Sequence, residues 1–284
     1  MDQRSPGFRR MTPKPKTASR ILAALLFFLG CSSVRSGANS SQDETSLSAA
    51  VCPIVYPDDQ SPGARGYHYT FFGNAFFIND QGYLLTAAHV LDTFRDGGQP
   101  YILVNRLNAP PSVIKVEVVA QDATHDVAVL RATTNPFRGG NYRVAFVPLA
   151  DEASLVGKAV LAASLRPVRL RDAHSFEWPQ QDASAGQVLR FESTRLDKGG
   201  PASEVFLLSH PVVRGQSGAP VLGVDAHGVV GFVEGRWLRG NVSLAIDTSS
   251  PSNAVPGAAV PIHHAIALLQ QHNISWHPPV AAQP

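Results

Sequence analysis

The chain has 284 residues, 44% of them hydrophobic, and a net charge of only +2. That is ample for one globular domain of about 220 residues. The basic residues gather at the start (Arg9, Arg10, Lys14, Lys16, Arg20) rather than forming a patch, so nucleic acid is excluded as the expected partner. No His-Glu-x-x-His or Cys-x-x-Cys cluster occurs, so neither a metal site nor a cofactor is expected.

The basic start leads into an apolar run of ten residues, 21–30. This is too short to span a bilayer but suits the core of a signal peptide, so the protein is expected to be exported. Cys31 follows Leu29-Gly30 directly, and a cysteine after a small residue at the end of such a core resembles a bacterial lipobox. Two readings stay open: a lipidated Cys31 that attaches the protein to a membrane, in the outer membrane or facing the periplasm, or an ordinary cleaved signal with Cys31 incidental. Residues 32–50 are rich in Ser, Asn and Gly with almost no large apolar side chains, and are expected to form a flexible tether.

From about Val51 to Trp276 the pattern changes to short apolar runs separated by Gly, Pro, Asn and Asp, which predicts one antiparallel β domain. Cys52 reads as a small buried residue near the first strand. Strands are predicted over 67–78, 83–87, 101–106, 114–120 and 127–131, with a hairpin turn at Asn79-Asp80-Gln81-Gly82. A second half opens with 156–162. Residues 166–184 carry much charge and little periodicity, which predicts a surface loop. Strands at 186–192 and 204–209 follow, then 221–222 and 229–233 around a turn at 225–228. The only amphipathic helix is predicted over 262–272, with Ile266, Leu268 and Leu269 on one flank. Residues 277–284, rich in Pro and Ala, read as a disordered tail.

Three stretches carry chemistry. In Val-Val-Arg-Gly-Gln-Ser-Gly-Ala-Pro-Val-Leu, residues 212–222, Gly215 and Gly218 allow a tight turn that presents the Ser217 hydroxyl. A serine is a poor nucleophile at neutral pH and needs a base, itself oriented by a third group. Thr86-Ala87-Ala88-His89 ends one apolar run, and His125-Asp126-Val127-Ala128-Val129-Leu130 begins another. Taken along the chain, His89 then Asp126 then Ser217, the three stretches resemble the trypsin-like serine protease family, and within it the bacterial HtrA/Deg-like group, over about residues 70–270. Gly73-Asn74-Ala75 and Ala259-Val260-Pro261-Ile262 add to the likeness. Ala219 stands where that group usually has a second glycine, and no chain remains after residue 284 for the PDZ domain many members carry.

The resemblance implies an all-β fold of two antiparallel six-stranded barrels with a C-terminal helix, and an endopeptidase acting on polypeptide substrates. His89 would take the Ser217 proton, Asp126 would hold the His89 ring, and the backbone across Gly215, Gln216 and Ser217 would form the oxyanion hole. The scarcity of cysteine fits a bacterial periplasmic or surface enzyme. Gln216 replaces the aspartate that pairs with a freed N-terminus in zymogen-activated members, so activation by that route is not expected. Residues 208–213 offer no acidic pocket floor, and small or medium apolar side chains are expected before the scissile bond. His210 near the pocket would instead favour acidic ones. His125 reads as a surface or packing residue, His263 and His264 as part of the helix, and Glu234 as a solvated residue beyond the pocket wall. An α/β-hydrolase is disfavoured because Ala219 breaks Gly-x-Ser-x-Gly and the histidine lies upstream of the serine. A catalytically inactive protease fold serving as a binding or chaperone lipoprotein stays open.

Overall fold

The computed structural model describes residues 47, 49–57, 69–94, 97–166, 180–196, 200–238, 240–243 and 255–279. The leader, Cys31 and most of the expected tether and tail lie outside these residues.

Six strands make the first half: β1 (Val51–Pro57), β2 (Tyr69–Phe77), β3 (Tyr83–Ala87), β4 (Tyr101–Arg106), β5 (Ala109–Asp122) and β6 (Val127–Ala132). They close into a barrel in the order β1-β2-β3-β6-β5-β4. The β2–β3 turn is set by Asn79, whose Oδ1 accepts the backbone N–H groups of Gln81 and Tyr83 at 3.0 and 3.2 Å. Successive side chains of β2 and β3 point to opposite faces, yet Phe76, Phe77, Leu84 and Leu85 are all fully buried. One face fills the barrel and the other is covered from outside, because the same core includes Phe232, Val260 and Leu269 from the second half.

The second half holds β7 (Ala159–Arg166), β8 (Gln180–Thr194), β9 (Ser203–Leu208), β10 (Pro220–Gly223), β11 (Gly228–Leu238), β12 (Asn241–Ser243) and β13 (Gly257–Pro261). The sheet order is β10-β7-β8-β9-β13-β11-β12, and a further β10–β11 pairing joins its two sides into a ring of six with β12 appended. Helix α1 (Ile262–Gln271) follows β13 and buries Ile262, Ala265, Leu268 and Leu269, a stripe at helical spacing. The two-barrel, all-β architecture with a final helix is therefore present. Among the described residues no helix is long and apolar enough to cross a membrane.

The structure departs from expectation in four places. The first strand of the second half starts at Ala159, not Val156, which makes only an isolated bridge to Val188. Residues 180–184, expected in a loop, are the start of β8 and pair with β7 from Arg166↔Gln180 to Ala162↔Ser184. Strand β5 begins at Ala109 despite Pro110 and Pro111, which lie opposite a register shift between Val104 and Arg106, where a missing N–H is tolerated. Finally, Leu47 and Ala50 are buried in the first core, so packed chain reaches back into the stretch expected to be a tether.

Candidate active site

Strand β3 ends at Ala87 and passes into a 3₁₀ turn, Ala88–Phe94, which carries His89 on its first half while burying Val90, Leu91 and Phe94. Asp126 sits at the entrance to β6 with φ 54°, a left-handed conformation that short polar side chains such as Asp tolerate. Its backbone oxygen accepts the Ala88 N–H at 3.0 Å, which locks the two turns together. Its carboxylate is divided in use: Oδ1 accepts the His89 backbone N–H at 2.7 Å and Oδ2 meets His89 Nδ1 at 2.7 Å. Asp126 is thus buried and oriented by its own target.

The serine turn is built on two glycines that no other residue could replace cheaply. Gly215 has φ 89° and Gly218 φ 77°. A Cβ on Gly218 would collide with Asn74 O and would come within 2.5 Å of Thr86 Oγ1. The turn is clamped from β2: the Asn74 N–H donates to Ser217 O at 2.8 Å, and Asn74 Nδ2 donates to Gly215 O at 2.6 Å. Asn74 also spans to β7, accepting the Leu165 N–H at 2.8 Å and donating to Leu165 O at 3.2 Å. Gln216 is buried, its Oε1 accepting the Val213 N–H at 2.8 Å and its Nε2 donating to Ser164 Oγ at 3.1 Å and Asp182 Oδ2 at 3.0 Å. The Gln216 N–H is taken by Val213 O at 3.2 Å. Among the described residues, no acceptor meets the N–H of Gly215 or of Ser217.

The structure thus brings His89 and Asp126 into direct contact and places Ser217 on a preformed turn. Ser217 Oγ donates to the backbone oxygen of Glu234 at 3.2 Å and not to His89.

Glu234 corrects the sequence-based expectation. It is not solvated but 3% exposed, and its Oε1 lies 3.5 Å from His89 Nδ1. The reason is a β-bulge: in the β11–β13 ladder Val233 pairs with Ala259 and Gly235 with Ala258, leaving Glu234 unpaired between them. A bulge adds a residue and re-aims its side chain, here into the site. The sequence signal was a lone charge inside an apolar run, followed at once by Gly235.

Burial pushes the Glu234 carboxyl well above its ordinary range, and the neighbouring Asp126 charge and hydrogen bond push it the same way. Asp126 is held below the ordinary carboxylate range: burial works against this, but hydrogen bonds from Glu234 and His89 outweigh it. The His89, Asp126 and Glu234 polar atoms all lie within 4.8 Å of one another. Their chemistry is that of a hydrogen-bonded chain, since both Asp126 oxygens already accept N–H groups from His89.

His210 is buried beside β8, and burial lowers its pKa, with Asp182 acting the other way. His125 is a packing residue: its Nδ1 meets Asp122 Oδ2 at 2.5 Å and its ring stacks on His264 at 4.0 Å. Cys52 is a free, buried thiol in β1.

A family model described as "Trypsin-like peptidase domain" matches residues 73–231. No curated protein sequence matches. Among solved structures, the HtrA-type protease AlgW with decapeptide superposes with a TM-score of 0.54 at 16% identity, over 81% of this chain and 66% of that chain. This chain therefore spans just under two thirds of it. The MamO protease domain from Magnetospirillum magneticum gives 0.53 at 15% identity, over 78% and 96%. The Rv3671c protease from M. tuberculosis in its active form gives 0.53 at 17%, over 86% and 90%. At these identities the likeness is one of fold.

Proposed function

Since the chain belongs to the trypsin-like peptidase family, we propose that it is a serine endopeptidase with His89, Asp126 and Ser217 as its triad. The observations that carry this are the His89–Asp126 contact at 2.7 Å and the serine turn clamped by Asn74. With Oδ2 of Asp126 on Nδ1, the proton of the neutral ring is held there and Nε2 is left as the base. Rotation of Ser217 about its Cα–Cβ bond releases the hydroxyl from Glu234 O toward Nε2, which takes the proton as the oxygen attacks a substrate carbonyl. The imidazolium formed is stabilised by Asp126 and then returns the proton to the leaving amine. The unclaimed N–H groups of Gly215 and Ser217 are the donors for the oxyanion, each worth about 3 kcal/mol in the transition state by analogy with measured holes.

Gln216, already tied to Ser164, Asp182 and Val213, supports a turn that is formed without a freed N-terminus. Polypeptides are the substrate class, with small or medium apolar residues before the scissile bond. The basic and apolar leader supports export to the periplasm or outer membrane, with Cys31 as the lipidation site; mass spectrometry of the mature N-terminus tests this, and an unacylated start beyond Cys31 overturns it. The resting contact of Ser217 with Glu234 O favours a second reading, a binding or chaperone protein of protease fold. A peptide-library digest separates the two: cleavage by the wild type and none by Ser217→Ala supports the endopeptidase, and no cleavage by either supports the binding protein.

A further inference from the structure

A triad needs one carboxylate, and this site buries two. Glu234 is buried, and its Oε2 meets no donor among the described residues. Among the described residues, the groups that face it are Asp126, which is in hydrogen-bond contact with it, and the His89 ring at 3.5 Å. Two adjacent carboxylates cannot both stay ionised in such an enclosure without a cation between them, and the one ring available presents Nδ1 to Asp126. One of the two must therefore keep a proton. Asp126 accepts two N–H groups from His89 and is the natural anion, while Glu234, on its bulge, has no such donors.

Resting on the endopeptidase reading above, we propose that Glu234 is a positioning residue: a carboxylic acid that donates a hydrogen bond to Asp126 and so holds the carboxylate on His89. The pair then carries one negative charge and one shared proton, with no net transfer during turnover. The same residue contributes its backbone oxygen as the resting acceptor of Ser217 Oγ, so the bulge serves two members of the site at once. Glu234 acts through Asp126 and does not touch the reacting atoms.

Reactivity of Ser217 toward a fluorophosphonate probe, measured at pH 7.5 on the full chain, reports this without knowledge of the natural substrate. Glu234→Gln keeps a neutral group of the same size with an N–H donor and is expected to react within about threefold of the wild-type rate. Glu234→Ala removes the donor and is expected to lose about 10- to 100-fold, in the rate of modification rather than in probe affinity. Infrared difference spectra, wild type minus Glu234→Gln, are expected to show a protonated-carboxyl carbonyl band at neutral pH. A Gln variant as slow as Ala with an unchanged melting temperature, an Ala variant as fast as wild type, or the lack of the carboxylic-acid band would each overturn the proposal. If Glu234→Ala does not fold, the Gln rate and the infrared band decide alone. A wild type that does not react at all would instead count against the endopeptidase reading, and the infrared band would still test the shared proton.

Discussion

Asn74 is the side chain on which both the assembly of the two halves and the serine turn depend, and its removal has a calculable effect. It is fully buried and makes three side-chain hydrogen bonds, two to Leu165 of β7 and one to Gly215 O. Asn74→Ala breaks all three and takes these partners from the Leu165 N–H and two carbonyl oxygens in a largely buried interface. At about 1 to 1.5 kcal/mol per net bond, with added cost where a buried group stays unpaired, the loss should be ~3 to 5 kcal/mol. Urea unfolding measures it as a lower midpoint at unchanged slope. Asn79→Ala is the control: it too is buried and makes three bonds, to Ser275 O, Gln81 N and Tyr83 N, but none to the serine turn. Both variants should lose similar stability, whereas only Asn74→Ala should slow fluorophosphonate modification of Ser217, by about tenfold or more under conditions where it remains folded. A stability loss under ~1 kcal/mol, or equal labelling by the two variants, would refute the role given to Asn74.

Gly218→Ala adds a Cβ against Asn74 O and Thr86 Oγ1 at a positive φ, and should destabilise by ~3 kcal/mol or more in the same urea assay. Glu234 gives a pH signature: burial raises its folded-state pKa well above the ordinary 4.5 of a glutamate, so the unfolded chain releases a proton that the folded one keeps. Wild-type stability should therefore fall relative to Glu234→Gln as pH rises above that value, by up to about 1.4 kcal/mol per pH unit, and parallel curves would contradict this. His264 has the opposite pH window. Burial, and then His263 and His125, lower its pKa from 6.5 to about 4, with Asp122 opposing, so the unfolded chain takes up its proton first on acidification. The wild type should lose melting temperature relative to His264→Asn between those two values, and an unchanged gap would count against a ring held neutral in the fold.

The His89–Asp126 contact and the Ser217 turn were legible because each stretch combines an unusual polar residue with an adjoining apolar run. The β class was legible for the same reason, since short apolar runs punctuated by Gly, Asn and Asp have few other folds open to them. Glu234 was not, because a β-bulge changes which side of a strand a residue faces and leaves no mark in the alternation. Residues 180–184 of β8 were hidden by composition: their strand is secured by backbone pairing to β7, not by an apolar face of its own. Leu47 and Ala50 show the converse, since one leucine in a polar stretch finds a place only because the core is built by residues far away.

Mass-spectrometric mapping of the fluorophosphonate adduct tests the catalytic assignment most directly. The adduct should lie on Ser217, vanish in Ser217→Ala, and form at least ~10³-fold more slowly in His89→Ala. An adduct on another serine, no adduct on the folded wild type, or an unchanged rate without the imidazole would contradict it.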